Sequence, residues 1–174
     1  LSPQLGISLR VLLINPPLDT VLRDGHVSPV TSYLFYNSAP LGLLYLAAML
    51  EQAGEEVMVI DAAAELLDIP KTVERIKEYQ PDFVGIGSTT VVFESTKELA
   101  AEIKSAMPNM PIVLGGYHVS LLPKEAMACP HFDVGVIHEG EHAILELAQY
   151  FRGERELSSI ESIVYREDDG SVAF

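Results

Sequence analysis

The chain has 174 residues, 48% of them hydrophobic and 21% charged, a balance that supports one domain with a sizeable core and argues against disorder. Its 11 Lys and Arg face 25 Asp and Glu for a formal charge of -14, and no basic cluster is present to neutralise phosphates, so nucleic acid is a poor partner. No apolar run approaches a bilayer span and no signal peptide opens the chain. The single Cys129 excludes an internal disulfide framework and any iron-sulfur cluster held by this chain's thiolates alone, and a cytoplasmic protein fits best.

Arg10 to Asn15 reads as a first buried strand, ended by Pro16 and Pro17 because proline cannot continue a ladder. From Leu18 to Ala39 a long loop without clear period carries Tyr33, Phe35 and Tyr36, and a loop of this length is functional or a floppy insertion. Pro40 opens a helix with Leu43, Leu44, Ala47 and Leu50 turned inward, and Gly54 closes it. Glu56 to Asp61 is the second strand, followed by a helix over 68–79 with Asp68 as its cap. The third strand runs from Asp82 to Gly87, and Ser88, Thr89 and Thr90 stand just past it as ligand donors or helix-capping hydroxyls. The next helix turns Leu99, Ile103 and Met107 inward and stops at Pro108.

The stretch from Pro111 to His118 reads as a fourth buried strand that stops on Gly115 and Gly116. In an open α/β sheet ligands bind outside the carboxyl ends of the strands, and missing Cβ atoms there let a large ligand approach the backbone; the plain alternative is a tight turn. A short helix over 123–127, a fifth strand over 132–137 and a helix over 140–151 complete the alternation. Ser162 to Arg166 and Ser171 to Phe174 flank a turn at Glu167 to Gly170 and predict a hairpin outside the main sheet. The expected fold is α/β: a flavodoxin-like (Rossmann-like), doubly wound, five-stranded parallel sheet over residues 8–153, with a C-terminal β-hairpin appendage over 154–174. The uncapped tail predicts that the natural protein continues beyond it.

Several familiar sites fail at these strand ends. Asn15-Pro16-Pro17-Leu18-Asp19-Thr20 follows the first strand in place of Gly-x-Gly-x-x-Gly, and Asp61 alone does not rescue a dinucleotide site. Prolines supply no N–H groups for an FMN or ATP phosphate, and Asn15, Ser88 and His138 stand where a phosphoacceptor receiver needs two acids and a lysine. His138-Glu139-Gly140-Glu141-His142 matches the zinc-protease pattern, but it begins after a strand and the helix starts inside it, so its imidazoles are not expected to share a face. The remaining readings are a polar turn favoured by the helix N-terminus, or carboxylates that accept hydrogen bonds from ligand amides.

Pro40 to Ala48, Asp82 to Thr90, Ile112 to His118 and Glu139-Gly140-Glu141, in this order and at these strand ends, resemble the cobalamin-binding domain ahead of the catalytic domain in cobalamin-dependent radical S-adenosylmethionine enzymes. The resemblance runs from Val11 to Phe174; anaerobic magnesium-protoporphyrin IX monomethyl ester cyclases and C-methyltransferases are the nearest functional groups. It implies a corrin across the carboxyl ends of the strands with its nucleotide tail running into the sheet edge. Gly85, Gly87, Gly115 and Gly116 would make room for the tail; Ser88, Thr89 and Thr90 would hydrogen-bond it; Tyr117, His118, Glu139 and Gly140 would line the face toward the corrin amides. Asn15, Pro16 and Pro17 complete the expected binding set.

Methionine-synthase-like corrinoid domains carry Asp-x-His-x-x-Gly after the first strand, and its histidine ligates cobalt. That motif is absent here, so the resemblance implies cobalamin with its own base displaced and no histidine ligand from this position; His26 is an outside candidate. His138 stands where the family commonly has Gly in Gly-Glu-Gly-Glu. S-adenosylmethionine and a [4Fe-4S] cluster are expected only in a downstream catalytic domain with Cys-x-x-x-Cys-x-x-Cys. That domain would be this module's partner, and the module alone would bind without turnover. The competing reading is a non-catalytic, flavodoxin-like ligand-sensing domain.

Overall fold

A computed structural model describes residues 8–18, 39–167 and 169–174. The expected loop with His26, Tyr33, Phe35 and Tyr36 lies outside the described residues, as does Asp168 of the expected turn. The elements are β1 (Arg10–Asn15), α1 (Leu41–Gln52), β2 (Glu56–Asp61), α2 (Ile69–Tyr79), β3 (Phe83–Gly87), α3 (Phe93–Ala106), β4 (Ile112–Gly115), α4 (Tyr117–Leu121), α5 (Pro123–Ala128), β5 (Val134–Val136), α6 (Glu141–Phe151), β6 (Ile163–Arg166) and β7 (Val172–Ala173).

One seven-stranded sheet has the order β2-β1-β3-β4-β5-β6-β7. The first five strands are parallel, so the doubly wound, flavodoxin-like expectation holds. Their interiors are continuous apolar runs because both faces are covered. Leu12, Ile14, Val84, Ile86, Ile112 and Leu114 meet α2, α3 and α5 on one face, while Leu13, Val113 and Val136 meet α1 and α6 on the other. Chain order reverses between β1 and β3, the switch point where α/β sheets open a crevice.

Local chemistry explains the helix ends. Asp68 accepts a hydrogen bond from Lys71 N at 2.9 Å and caps α2, whose chain leaves through Gln80 in a left-handed conformation. Gly54, at φ 94°, turns the chain out of α1 toward β2. Three expectations need correction. Leu44 is turned outward, because α1 carries more apolar residues than one face can bury; Ala47 and Leu50 do the packing. The residues after Gly116 form the short helix α4, which a single turn of non-periodic sequence did not reveal. The hairpin is present, yet it extends the sheet instead of standing outside it: β6 pairs antiparallel with β5, Gly135 opposite Val164, and β7 with β6. The edge of β5 would otherwise expose unpaired N–H and C=O groups, and β6 covers it while burying Ile163 and Val164.

Candidate functional site

Side chains alternate across a sheet, and parallel register decides which residues share a face. Leu13 pairs with Gly85, Gly85 with Val113, and Gly87 with Gly115, so three glycines from two neighbouring strands occupy the α1/α6 face near its carboxyl edge. Above them lies a cleft of about 380 Å³. Its floor is Leu13, Asn15, Gly85, Gly87, Val113, Gly115 and Val136; its walls are the first turns of α1 and α6, and Ser88, Thr89, Gly116 and Tyr117 close the carboxyl end.

The glycines have different reasons for being there. A Cβ on Gly115 would meet nothing within 4 Å, so it would project into the open cleft. One on Gly87 would come to 3.3 Å of Leu43 Cδ2, and one on Gly85 to 2.7 Å of Leu13 Cδ2, so side chains there would fill the cleft or displace its walls. Gly116 is structural. At φ 97° and ψ -171° it occupies a region open only to glycine, and a Cβ would stand 2.5 Å from the Ser88 carbonyl oxygen. This close approach ties the ends of β3 and β4 together, with Ser88 N donating to Gly115 O at 2.8 Å and His118 N to Ser88 O at 3.3 Å.

The expected binding residues divide accordingly. Asn15, Gly85, Gly87, Ser88, Thr89, Gly115, Gly116, Tyr117, Glu139 and Gly140 line the cleft. Asn15 is held by donating from Nδ2 to Asp61 Oδ1 at 2.8 Å, and Tyr117 stands 75% exposed at the rim. Ser88 reaches the cleft while its buried hydroxyl is spent within the protein, 3.0 Å from Thr96 Oγ1. Pro16 and Pro17 are buried outside the lining. Thr90 and His118 also lie outside it and meet each other instead: the His118 ring, 2% exposed, places Nδ1 3.2 Å from Thr90 Oγ1 and stacks on Phe93 at 3.6 Å. Burial holds the His118 pKa below the ordinary imidazole value, partly offset by Glu125. The Ser-Thr-Thr hydroxyls do not cap in the expected way, since neither the short turn at Thr90–Val92 nor α3 has a side-chain cap.

One wall of the cleft was missed from sequence. Leu41, Gly42, Leu43 and Leu46 wall the cleft from α1, and the surplus apolar positions of that helix were the available signal. Glu141, the first residue of α6, also lines the cleft, and its Oε2 is buried without a hydrogen-bond partner. No lining residue among those described is Lys or Arg; beside its apolar surface the site offers the carboxylates of Glu139 and Glu141 and neutral polar side chains, a set suited to a ligand bearing amide groups. His138, at φ 65°, precedes α6, whereas His142 lies within it, so the two imidazoles do not sit one turn apart on one helix. Among the described residues no group of three or more His, Cys, Asp or Glu is placed to hold a metal ion.

Curated relatives share this chain's sequence along most of its length. An uncharacterized methyltransferase of Pyrococcus horikoshii is 33% identical over 92% of the chain, and a cytidylyl-2-hydroxyethylphosphonate methyltransferase of Streptomyces wedmorensis 30% over 94%. The anaerobic magnesium-protoporphyrin IX monomethyl ester cyclase of Synechocystis is 29% identical over 92%. The chain spans only 33%, 32% and 31% of those proteins. Among solved structures, the radical S-adenosylmethionine methyltransferase TsrM of Kitasatospora setae, with cobalamin and a [4Fe-4S] cluster bound, superposes with TM-score 0.74 at 26% identity over 94% of this chain and 30% of its own. The cobalamin-dependent S-adenosylmethionine radical enzyme OxsB shares the fold at TM-score 0.78 and 19% identity, over 96% of this chain and 22% of its own. A family model described as the B12 binding domain matches residues 27–148, a span that holds the cleft's glycines and its α1 and α6 walls, and the chain belongs to the B12 binding domain family.

Proposed function

We propose that this chain is the cobalamin-holding module of a cobalamin-dependent radical S-adenosylmethionine enzyme. The observation that carries the reading is the cleft itself: three glycines on one face of β3 and β4, open space over Gly115, and apolar walls from α1 and α6 at the carboxyl edge. The residues fit the group. Leu13, Val113, Val136 and Ile144 supply the apolar depth, Asn15 and Thr89 add polar groups to the lining, and Glu139 and Glu141 offer carboxylate acceptors to corrin amides. Bound cobalamin supplies the cobalt chemistry; the chain's own residues bind it, orient it and keep water from its tail.

The sequence after β1, Asn15-Pro16-Pro17-Leu18-Asp19-Thr20, lacks Asp-x-His-x-x-Gly, which supports cobalamin with its own base displaced and no histidine ligand from this position. A second domain, with S-adenosylmethionine and an iron-sulfur cluster, belongs to the proposal for the whole enzyme. Its reaction is carried in two forms, the anaerobic oxidative cyclisation of magnesium-protoporphyrin IX monomethyl ester and C-methylation. Product analysis separates them, by ring closure on the porphyrin ester or by a transferred methyl group.

The test is titration with hydroxocobalamin, gel filtration and a visible spectrum of the protein peak, on the 174-residue chain and on the intact protein. A co-eluting corrin with a base-displaced spectrum supports the module; absence of corrin from both peaks overturns it.

A further inference from the structure

His118 sits where the sequence pattern places a cofactor contact, yet its ring points to the other side of the sheet. Its position there is unusual. The ring is 2% exposed, Nε2 is buried with no hydrogen-bond partner, and Nδ1 lies 3.2 Å from Thr90 Oγ1. The face of the ring rests on Phe93, the first residue of α3, at 3.6 Å, while the backbone N–H of His118 reaches Ser88 O. One residue of α4 thus grips the segment from Ser88 to Phe93 at three points, and that segment carries Ser88 and Thr89 into the cleft. A phenylalanine would reproduce the stacking and the backbone bond but not the contact with Thr90.

We propose that His118 is a positioning residue: without touching the ligand, it latches the loop after β3 through Thr90, and this latch presents Thr89 to the bound corrin. The inference rests on the cobalamin reading of the cleft. The latch works with a neutral ring. The imidazolium carries an N–H on both nitrogens, so protonation requires an N–H at Nε2 in a buried pocket with no acceptor and adds a charge there. The charged groups facing the ring are Glu125 from α5 and Lys97 and Glu94 from α3, and the latter two pair with each other at 2.9 Å. The latch should therefore open on acidification, in the range below 6.5 where burial holds the native imidazole neutral.

The experiment compares wild type, His118→Phe, His118→Asn and Thr90→Val in the intact protein, with circular dichroism as the folding control. Asparagine places an amide near the Nδ1 position and keeps the Thr90 bond. Thr90 is exposed, so Thr90→Val removes the same bond with little risk to the core. The first readout is hydrogen exchange of the segment 88–93 without corrin: His118→Phe and Thr90→Val should lose protection about tenfold, as for one hydrogen bond, and His118→Asn should retain it. The second readout is hydroxocobalamin affinity against pH. Wild type should weaken on acidification below 6.5, His118→Asn should bind without that dependence, and the other two should bind about tenfold more weakly at neutral pH. Equal protection in all four proteins overturns the latch. Altered protection with no corrin binding by wild type instead overturns the cobalamin reading, and with it the latch's role in presentation.

Discussion

Gly115 and Gly116 are adjacent and chemically identical, and the structure assigns them opposite sensitivities to an added methyl group. Gly116→Ala forces an L-residue into a conformation open only to glycine, at about 1–3 kcal/mol. Its Cβ would also stand 2.5 Å from Ser88 O and 2.9 Å from Ser88 N. Both are backbone atoms fixed by the β3–β4 pairing, so relief requires the strand ends to separate, adding about 1–3 kcal/mol as in other overpacked sites. The total is about 4 kcal/mol, and at roughly 2–4 °C per kcal/mol the melting temperature of the 174-residue chain should fall by about 8–16 °C. Gly115→Ala is the control. Its Cβ meets nothing within 4 Å and its backbone is ordinary strand, so stability should change by less than about 0.5 kcal/mol. The assay is denaturant and thermal unfolding of both variants beside wild type. A Gly116→Ala loss equal to that of Gly115→Ala would refute the argument that the close approach to Ser88 requires glycine.

Gly115→Leu should keep the wild-type melting temperature and abolish co-elution of hydroxocobalamin, because the added side chain occupies the cleft and not the core. Glu141→Ala should weaken hydroxocobalamin binding about tenfold with little change in melting temperature, since it removes a buried carboxylate oxygen that has no partner among the described residues and is the acceptor proposed for the corrin; titration followed in the visible spectrum reads it. Arg152→Met should cost about 3 kcal/mol in denaturant unfolding, because Glu55, 6% exposed and bonded to Leu9 N at 2.8 Å, is left buried without its cation. His118 supplies a pH dependence of known sign. Its native pKa lies below the unfolded value of 6.5, so between the two the unfolded chain binds more protons and stability falls as pH falls. Above 6.5 the contribution is complete; the denaturant midpoint measured on acidification should drop less in His118→Asn than in wild type.

Much of this was legible in the order of residues. Apolar runs cut by proline and glycine marked all five parallel strands, and helical spacing marked the longer helices, because these patterns record how many faces of each element are buried. Alternation of strand and helix limited the five parallel strands to a flavodoxin-like or Rossmann-like order, since crossovers must be long and right-handed, and the structure shows the order β2-β1-β3-β4-β5. The glycines at the ends of β3 and β4 were visible as chain punctuation, and their position at a carboxyl edge followed from the fold class alone.

What the order of residues could not contain was the relation between strands. Gly85, Gly87 and Gly115 share a face only because β3 and β4 pair in one particular register; a shift of one residue would have sent Gly115 to the opposite side. His118 and Thr90 were read as neighbours of a ligand and are neighbours of each other behind the sheet, because α4 begins at once after Gly116 and turns the ring toward Phe93. The hairpin's own turn was local and readable, while its place at the edge of β5 depended on an unpaired strand formed some thirty residues earlier in the chain. Sequence thus determined the elements and the edge at which a ligand would sit, through periodicity and chain stiffness. Tertiary structure alone decided which side chains face the cleft, because register and packing join residues that no local pattern connects.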